Sequence, residues 1–346
     1  MAERSAINLG LQGGGAHGAF TWGVLDRLLE EDGPGIAAIS GTSAGALNAA
    51  CLKAGYCQGG RAGARENLDW LWSRIGAISQ PGLSEWIAAL APSAGLMAEL
   101  LENSPAWFGF DMMTRTLSPY AYGPMLRNPL EALIGDIRFD RMDDAAGPRL
   151  FIGATNVRTG KIRVFRDGDI TPEAVLASAC LPTLFQAVEI PDAATGETEA
   201  YWDGGYTGNP ALFPLFVPEL PRDIVIVNIN PLTRGELPRD SQAIANRINE
   251  ISFNSSLLRE LRAIHFVKRL VGEGALVEGS MEVPLIHMIA DDALMNELNV
   301  ATKTIPLPVV LARLKEAGRD AADRFLADHG AALGERDSCD LVAMFS

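Results

Sequence analysis

The chain has 346 residues, 48% of them hydrophobic and 21% charged, with a formal net charge of -14. That composition excludes a disordered chain and supplies enough apolar side chains for a large core, as one sizeable domain or two modest ones. The acidic balance argues against nucleic acid as the main partner, which needs a surplus of Lys and Arg, and against docking on anionic lipid by bulk charge; only a local basic or apolar patch would serve there.

The opening residues MAERSAINLGLQGGG carry an apolar stretch too short for a signal sequence. No stretch approaches the roughly 20 apolar residues of a membrane span. The cysteines Cys51, Cys57, Cys180 and Cys339 have no CxxC or framework spacing and read as reduced, buried thiols of a cytoplasmic protein. Residues 6–11 (AINLGL) predict a buried strand ended by Gly13-Gly14-Gly15. An amphipathic helix follows, with Phe20, Val24, Leu25, Leu28 and Leu29 on one side and Asp26, Arg27, Glu30 and Glu31 on the other, stopped at Gly33-Pro34-Gly35. Residues 36–40 predict a second strand running into Gly41-Thr42-Ser43-Ala44-Gly45 and a small-residue helix. This alternation predicts a parallel sheet with helices packed on it.

Residues 80–128 hold Pro, Gly, Met and aromatics in irregular order, among them Trp86, Trp107, Phe108, Phe110 and Met113, and read as an inserted cap. Strands are predicted again at 149–157, at 161–166 as a hairpin partner across Thr159-Gly160, at 223–229 and at 284–289. Long helices are predicted after 240, on the period of Ile244, Ile248, Ile251, Leu258, Leu261, Ile264, Val267 and Val271, and over about 306–328. No linker divides the chain, so the expectation is one α/β unit with an inserted cap.

Three segments carry chemistry. Gly41-Thr42-Ser43-Ala44-Gly45 is a G-x-S-x-G between strand and helix, the pattern of a nucleophile elbow, with Gly41 and Gly45 sparing the tight turn a Cβ clash. Gly13 to Gly18 fits G-x-G-x-x-G, which has two readings. One is dinucleotide binding, which requires an acidic residue closing the second strand; that strand closes on Gly41-Thr42-Ser43, and Asp32 lies in the turn before it. The other is an oxyanion hole, with backbone N–H groups converging on one point. Asp203-Gly204-Gly205, followed by Asn209-Pro210, is by itself a plain turn signal, but Ser178-Ala179-Cys180-Leu181-Pro182-Thr183-Leu184-Phe185 precedes it.

The glycine loop, the G-T-S-A-G elbow, the S-A-x-x-P-x-x-F segment and the D-G-G-x-x-x-N-P segment stand in the order and approximate spacing of patatin-like phospholipases, and GGGAHGAFTWGVL resembles the bacterial branch of that family. The likeness covers about residues 4–230, leaving 231–346 as an extension packed on the same unit. It implies a three-layer α/β/α sandwich around a mostly parallel sheet, and a lipid acyl hydrolase acting through a Ser–Asp dyad and an acyl-enzyme. It implies Ser43 as nucleophile, Asp203 as direct base, and Gly13, Gly14 and Gly15 amides as the oxyanion hole, with no cofactor and no metal. Plant and toxin members often carry Arg or Lys where this chain has His17, which is expected to be a packing or supporting residue.

Alternatives stay open at this stage: a thioesterase or acyltransferase with the same dyad, a Ser-Asp-His triad using His265, His287 or His329, and an inactive lipid-binding scaffold. Asp291-Asp292 reads as a helix start. The expected substrate is a lipid or acyl ester, met in the cytoplasm or by transient contact at a membrane surface, and the oligomeric state is not written in the sequence. Residues 84–123 are expected either to line an acyl channel or meet a membrane, or to form ordinary core or a dimer interface.

Overall fold

A computed structural model describes residues 6–78, 94–122, 128–142, 146–192, 196–239, 241–276 and 283–345. The central sheet has five parallel neighbours, in the order β3 (Arg149–Asn156), β2 (Gly35–Thr42), β1 (Ala6–Leu11), β7 (Asp223–Asn228) and β8 (Leu285–Ala290). Beyond β3 come β6 (Glu197–Asp203) and β5 (Val188–Asp192), both in antiparallel pairings, and β4 (Ile162–Arg166) is the antiparallel hairpin partner of β3. The sequence pattern missed the β5–β6 hairpin. Only Tyr201 and Asp203 in it are buried, so it lacks the apolar alternation of a strand buried on one face.

Alternate residues of the parallel strands feed two separate cores. Leu9, Ile39, Ile152 and Val225 pack with α1 (Gly18–Leu28), α2 (Ala44–Gly76) and the C-terminal helix Pro308–His329 on one face. Ala38, Phe151, Ile224 and Ile226 pack with the long helix Ser241–Gly272 on the other, through Leu257, Leu261 and Ile264. Two apolar faces on each strand dictate this helix–sheet–helix layering. Residues beyond 230 thus share the sheet and both cores.

Several local expectations change. The helix after the elbow runs on to Gly76, with non-helical backbone at Gly59 and Gly60. Cys51 and Cys180 are buried, but Cys57 and Cys339 are half-buried, and none of the four is in a disulfide. Asp291 caps the helix Asp292–Glu297, accepting the Leu294 amide at 3.0 Å, as its position predicted. Among the described residues no helix is long and apolar enough to cross a membrane.

The helical pattern puts Asp26 on the polar side of α1, yet it is buried. It accepts from Arg65 on α2 at 2.7 Å and from Arg319 on the C-terminal helix, tying three helices together. Breaking a fully buried pair costs about 3–5 kcal/mol. Arg65 and Arg319 are partly exposed and regain water when freed, so Asp26→Ala is expected to cost about 2 kcal/mol in urea unfolding.

Candidate active site

Register brings the candidate groups together. Thr42 of β2 pairs with Gly153 of β3, and Ala154 of β3 pairs with Asp203 of β6. Ser43, just past Thr42, and Asp203, at the end of β6, therefore lie at one level of the sheet. Ser43 has φ 54° and ψ -121°, a left-handed backbone that an L-residue rarely adopts, directly before α2. The turn lifts its side chain off the strand at a helix N-terminus, where the helix dipole favours negative charge.

The elbow is pinned from behind. The Ser43 amide donates to Ser178 Oγ at 2.9 Å, and that hydroxyl donates to the Gly153 carbonyl at 2.6 Å. Ser178 ends the helix Pro172–Ser178, which explains why the S-A-x-x-P segment accompanies the elbow. Asp203 is fixed in the same way: its amide donates to the Cys180 carbonyl at 2.8 Å, and its carbonyl accepts from Thr155 Oγ1 at 2.8 Å.

The Asp203 carboxylate is fully buried. Oδ1 accepts the Gly205 amide at 2.7 Å, and Oδ2 has no partner in full hydrogen-bond geometry. Burial pushes the carboxyl up to about 6, while the nearby Ser43 hydroxyl and the Gly205 amide partly offset that rise by favouring the ionised form.

The glycine loop meets the elbow almost backbone to backbone. A Cβ on Gly13 would lie 2.6 Å from Ser43 Cβ, so only glycine permits this approach. Gly15 has φ +58°, and a Cβ there would strike the Lys303 carbonyl at 2.3 Å. The Gly13 amide is already committed, donating to Asn209 Oδ1 at 2.6 Å. The amides of Gly14 and Gly15 make no hydrogen bond among the described residues, which leaves them, and not Gly13, as the loop's free donors.

Ser43, Asp203, Gly14 and Gly15 line one pocket of about 400 Å³. Leu47, Trp72, Ile75, Leu184, Phe185 and Phe253 make its wall largely apolar. Phe110 and Met113, on the helix Pro105–Thr116, also line it. Trp107 instead belongs to the core and Phe108 is 67% exposed, so neither contacts the pocket. Trp86 lies outside the described residues.

No described histidine touches Asp203. His287 sits inside β8 and bonds Asp223 and Ser338, each at 2.9 Å. Asp223 opens β7 at the opposite edge of the sheet, roughly 20 Å of strand from the elbow. His265 faces Phe345, and His329 faces Phe325. His17 is buried against Thr302 Oγ1 at 2.9 Å; burial, then the charge of Lys303, holds it well below the usual histidine range. The dinucleotide reading also fails, since Asp32 pairs with Arg27 at 2.9 Å in the turn and does not close β2.

Sequence reasoning missed the groups behind the loop. Gln12 Oε1 accepts the amides of Ile229 and Asn230 at 2.9 and 3.1 Å, and its Nε2 donates to Asn254 Oδ1 at 3.1 Å. Asn230 Nδ2 donates to the Gly13 carbonyl at 2.8 Å. The one available signal was polar residues inside apolar strand ends, Gln12 after LGL and Asn230 after VNI. Replacing Ser178 with Ala would strand the buried Ser43 amide, and is expected to cost about 1–3 kcal/mol in denaturant unfolding.

The pattern of the patatin-like phospholipase family matches residues 9–216. No curated protein matches the sequence. Among solved structures the chain is similar to VipD from Legionella pneumophila, at 17% identity over 94% of this chain and 67% of that one, with a TM-score of 0.38. It is also similar to a chain of the complex of SpcU with ExoU from the type III secretion system of Pseudomonas aeruginosa, at 17% identity over 98% of this chain and 66% of that one, with a TM-score of 0.25. The chain thus spans about two thirds of those chains. The matched stretch holds the glycine loop, the elbow, Ser178 and the Asp203-Gly204-Gly205 turn, and the chain belongs to the patatin-like phospholipase family.

Proposed function

We propose that the protein is a lipid acyl hydrolase that cleaves carboxylic esters through a Ser43 acyl-enzyme, with Asp203 as the base. One observation carries this reading: an elbow serine, a buried carboxylate and two free amides share one apolar pocket. Ser43 Oγ attacks the acyl carbonyl and passes its proton to Asp203. The C–O bond to the alcohol breaks, and Asp203 returns the proton to the leaving alkoxide. Water then attacks the acyl-serine, with Asp203 again taking and returning a proton. Gly14 and Gly15 N–H groups, aided by the N-terminus of α2, hold the oxyanion of each tetrahedral intermediate. A carboxylate is a weak base for a hydroxyl at its ordinary pKa near 3.9; burial that lifts it to about 6 brings it nearer the working pH.

The apolar wall supports an acyl chain as the pocket's occupant. The exposed side of the helix Pro105–Thr116, with Phe108 and Met112, is the surface expected to meet lipid.

Asp203 must be ionised to accept the proton, so kcat/KM is expected to fall as pH drops through about 6. Asp203→Asn should remove that limb and lower kcat by about 100- to 10,000-fold, with Ser43→Ala lower still. Turnover by Ser43→Ala near the wild-type level would refute the assignment. Phe110→Asn and Met113→Asn should raise KM for long-chain esters more than for butyrate esters; equal losses would assign these side chains to packing.

A further inference from the structure

Lys303 stands on the short helix Val300–Thr304, which seats on the glycine loop through the Thr302–His17 contact. It lines the same pocket as Ser43 and Asp203. The residue is half-buried, and its ammonium is desolvated. Among the described residues no carboxylate lies within 4.0 Å of it. Glu250 is the acid that acts on it, but Glu250 is engaged by Arg234 at 2.6 Å and Arg247 at 3.2 Å. A methionine would fill this space without the cost of desolvating a charge.

The ammonium is aimed at one atom. Lys303 Nζ donates to Asn230 Oδ1 at 2.9 Å. The orientation of the Asn230 amide is fixed by its neighbours: its NH2 faces Gln12 Oε1 at 3.1 Å and the Gly13 carbonyl at 2.8 Å, both acceptors, so its oxygen must face the lysine, which only donates. The result is a head-to-tail series: ammonium to Asn230 oxygen, Asn230 N–H to Gly13 carbonyl, and the Gly13–Gly14 peptide to the free Gly14 N–H.

We propose that Lys303 is a positioning residue for the oxyanion hole, polarising the Asn230 amide and through it the Gly13–Gly14 peptide, so that the Gly14 N–H becomes a stronger donor. Hydrogen bonds in series strengthen one another by roughly 10–30% per bond. The dipoles so aligned all oppose the negative charge that develops on the substrate carbonyl oxygen. The inference rests on the acyl-hydrolase reading of the same pocket.

Burial lowers Lys303 to about 8, Glu250 works against that fall, and Arg234 adds to it. Loss of the ammonium's proton should therefore weaken the donor as pH rises through about 8. The other titratable group against it, His17, is held neutral well below that range.

The test uses the full chain and a neutral ester, para-nitrophenyl butyrate, so that no substrate charge can meet the lysine. Wild-type kcat should decline as pH rises through about 8. Lys303→Met should lower kcat at pH near 7 about tenfold, less than removal of a whole oxyanion donor, with KM unchanged and the alkaline decline gone. Lys303→Arg should remove the decline while keeping more kcat than the Met variant, since a guanidinium does not titrate there. The proposal is overturned if Lys303→Met keeps wild-type kcat, if it changes KM alone, or if it keeps the alkaline decline. Should the Met variant fail to fold, a wild-type kcat that stays flat to pH near 9 overturns it equally. Ser43→Ala, assayed alongside, separates the two readings: its activity would sink the hydrolase reading, whereas its silence beside an unaffected Lys303→Met sinks only the role of Lys303.

Discussion

Asn209 holds Gly13 from both ends, accepting its amide at 2.6 Å and reaching its carbonyl at 3.4 Å, and much of the site follows from that clamp. Two loops that end neighbouring parallel strands must face each other with no side chain between them. A loop of bare glycines at that position has no side chain to anchor it, and its polar groups are buried away from water. Asn209 and Asn230 supply those partners to Gly13, and Gln12 and Asn254 hold the two asparagines in turn. With the Gly13 amide consumed by the clamp, the unbonded amides are those of Gly14 and Gly15, two residues that line the pocket.

The site also rests on charges kept out of water. Burial lifts the pKa of Asp203, against the Gly205 amide on one oxygen, toward the pH at which it would serve as base. Lys303 is desolvated with one neutral acceptor, which lowers its own. Both costs fall at the pocket, and the rest of the fold offsets them through two apolar cores. The elbow adds backbone strain at Ser43, held in place by the Ser178 hydroxyl and by α2. Ser43 and Asp203 lie within the family-matched residues 9–216, whereas Asn230, Asn254, Thr302 and Lys303 lie beyond it. The stretch after 216 is therefore part of how this site is built.

Much of this was legible from residue order. Strands β1, β2, β3, β4, β7 and β8 stood out because buried strands are apolar runs closed by glycine or turn residues, and the helix after 240 because its period is regular. Ser43 could be read from local chemistry, since an elbow needs its glycines at fixed offsets. Asp203 could not: its strand is the second half of an antiparallel hairpin with little burial, and only resemblance singled it out. The same limit applied to Gly13, Asn230 and Lys303. A glycine in a loop does not reveal which way its amide points, and a lysine in a short helix reads as surface until tertiary packing sets it beside the pocket. Composition marks the aromatics and methionines of 80–128 together, and it takes the helical register of Pro105–Thr116 to sort them, with Phe110 and Met113 on the pocket and Trp107 in the core.

The claim at the centre of this account is that an acyl group bonded to Ser43 places its oxygen against Gly14 and Gly15. A crystal structure of the protein inactivated by a fluorophosphonate tests it directly. The account predicts phosphorus bonded to Ser43 Oγ, with the phosphonyl oxygen within hydrogen-bond reach of the Gly14 and Gly15 amides. Phosphorus on another residue, or an oxygen turned away from the glycine loop, would contradict it.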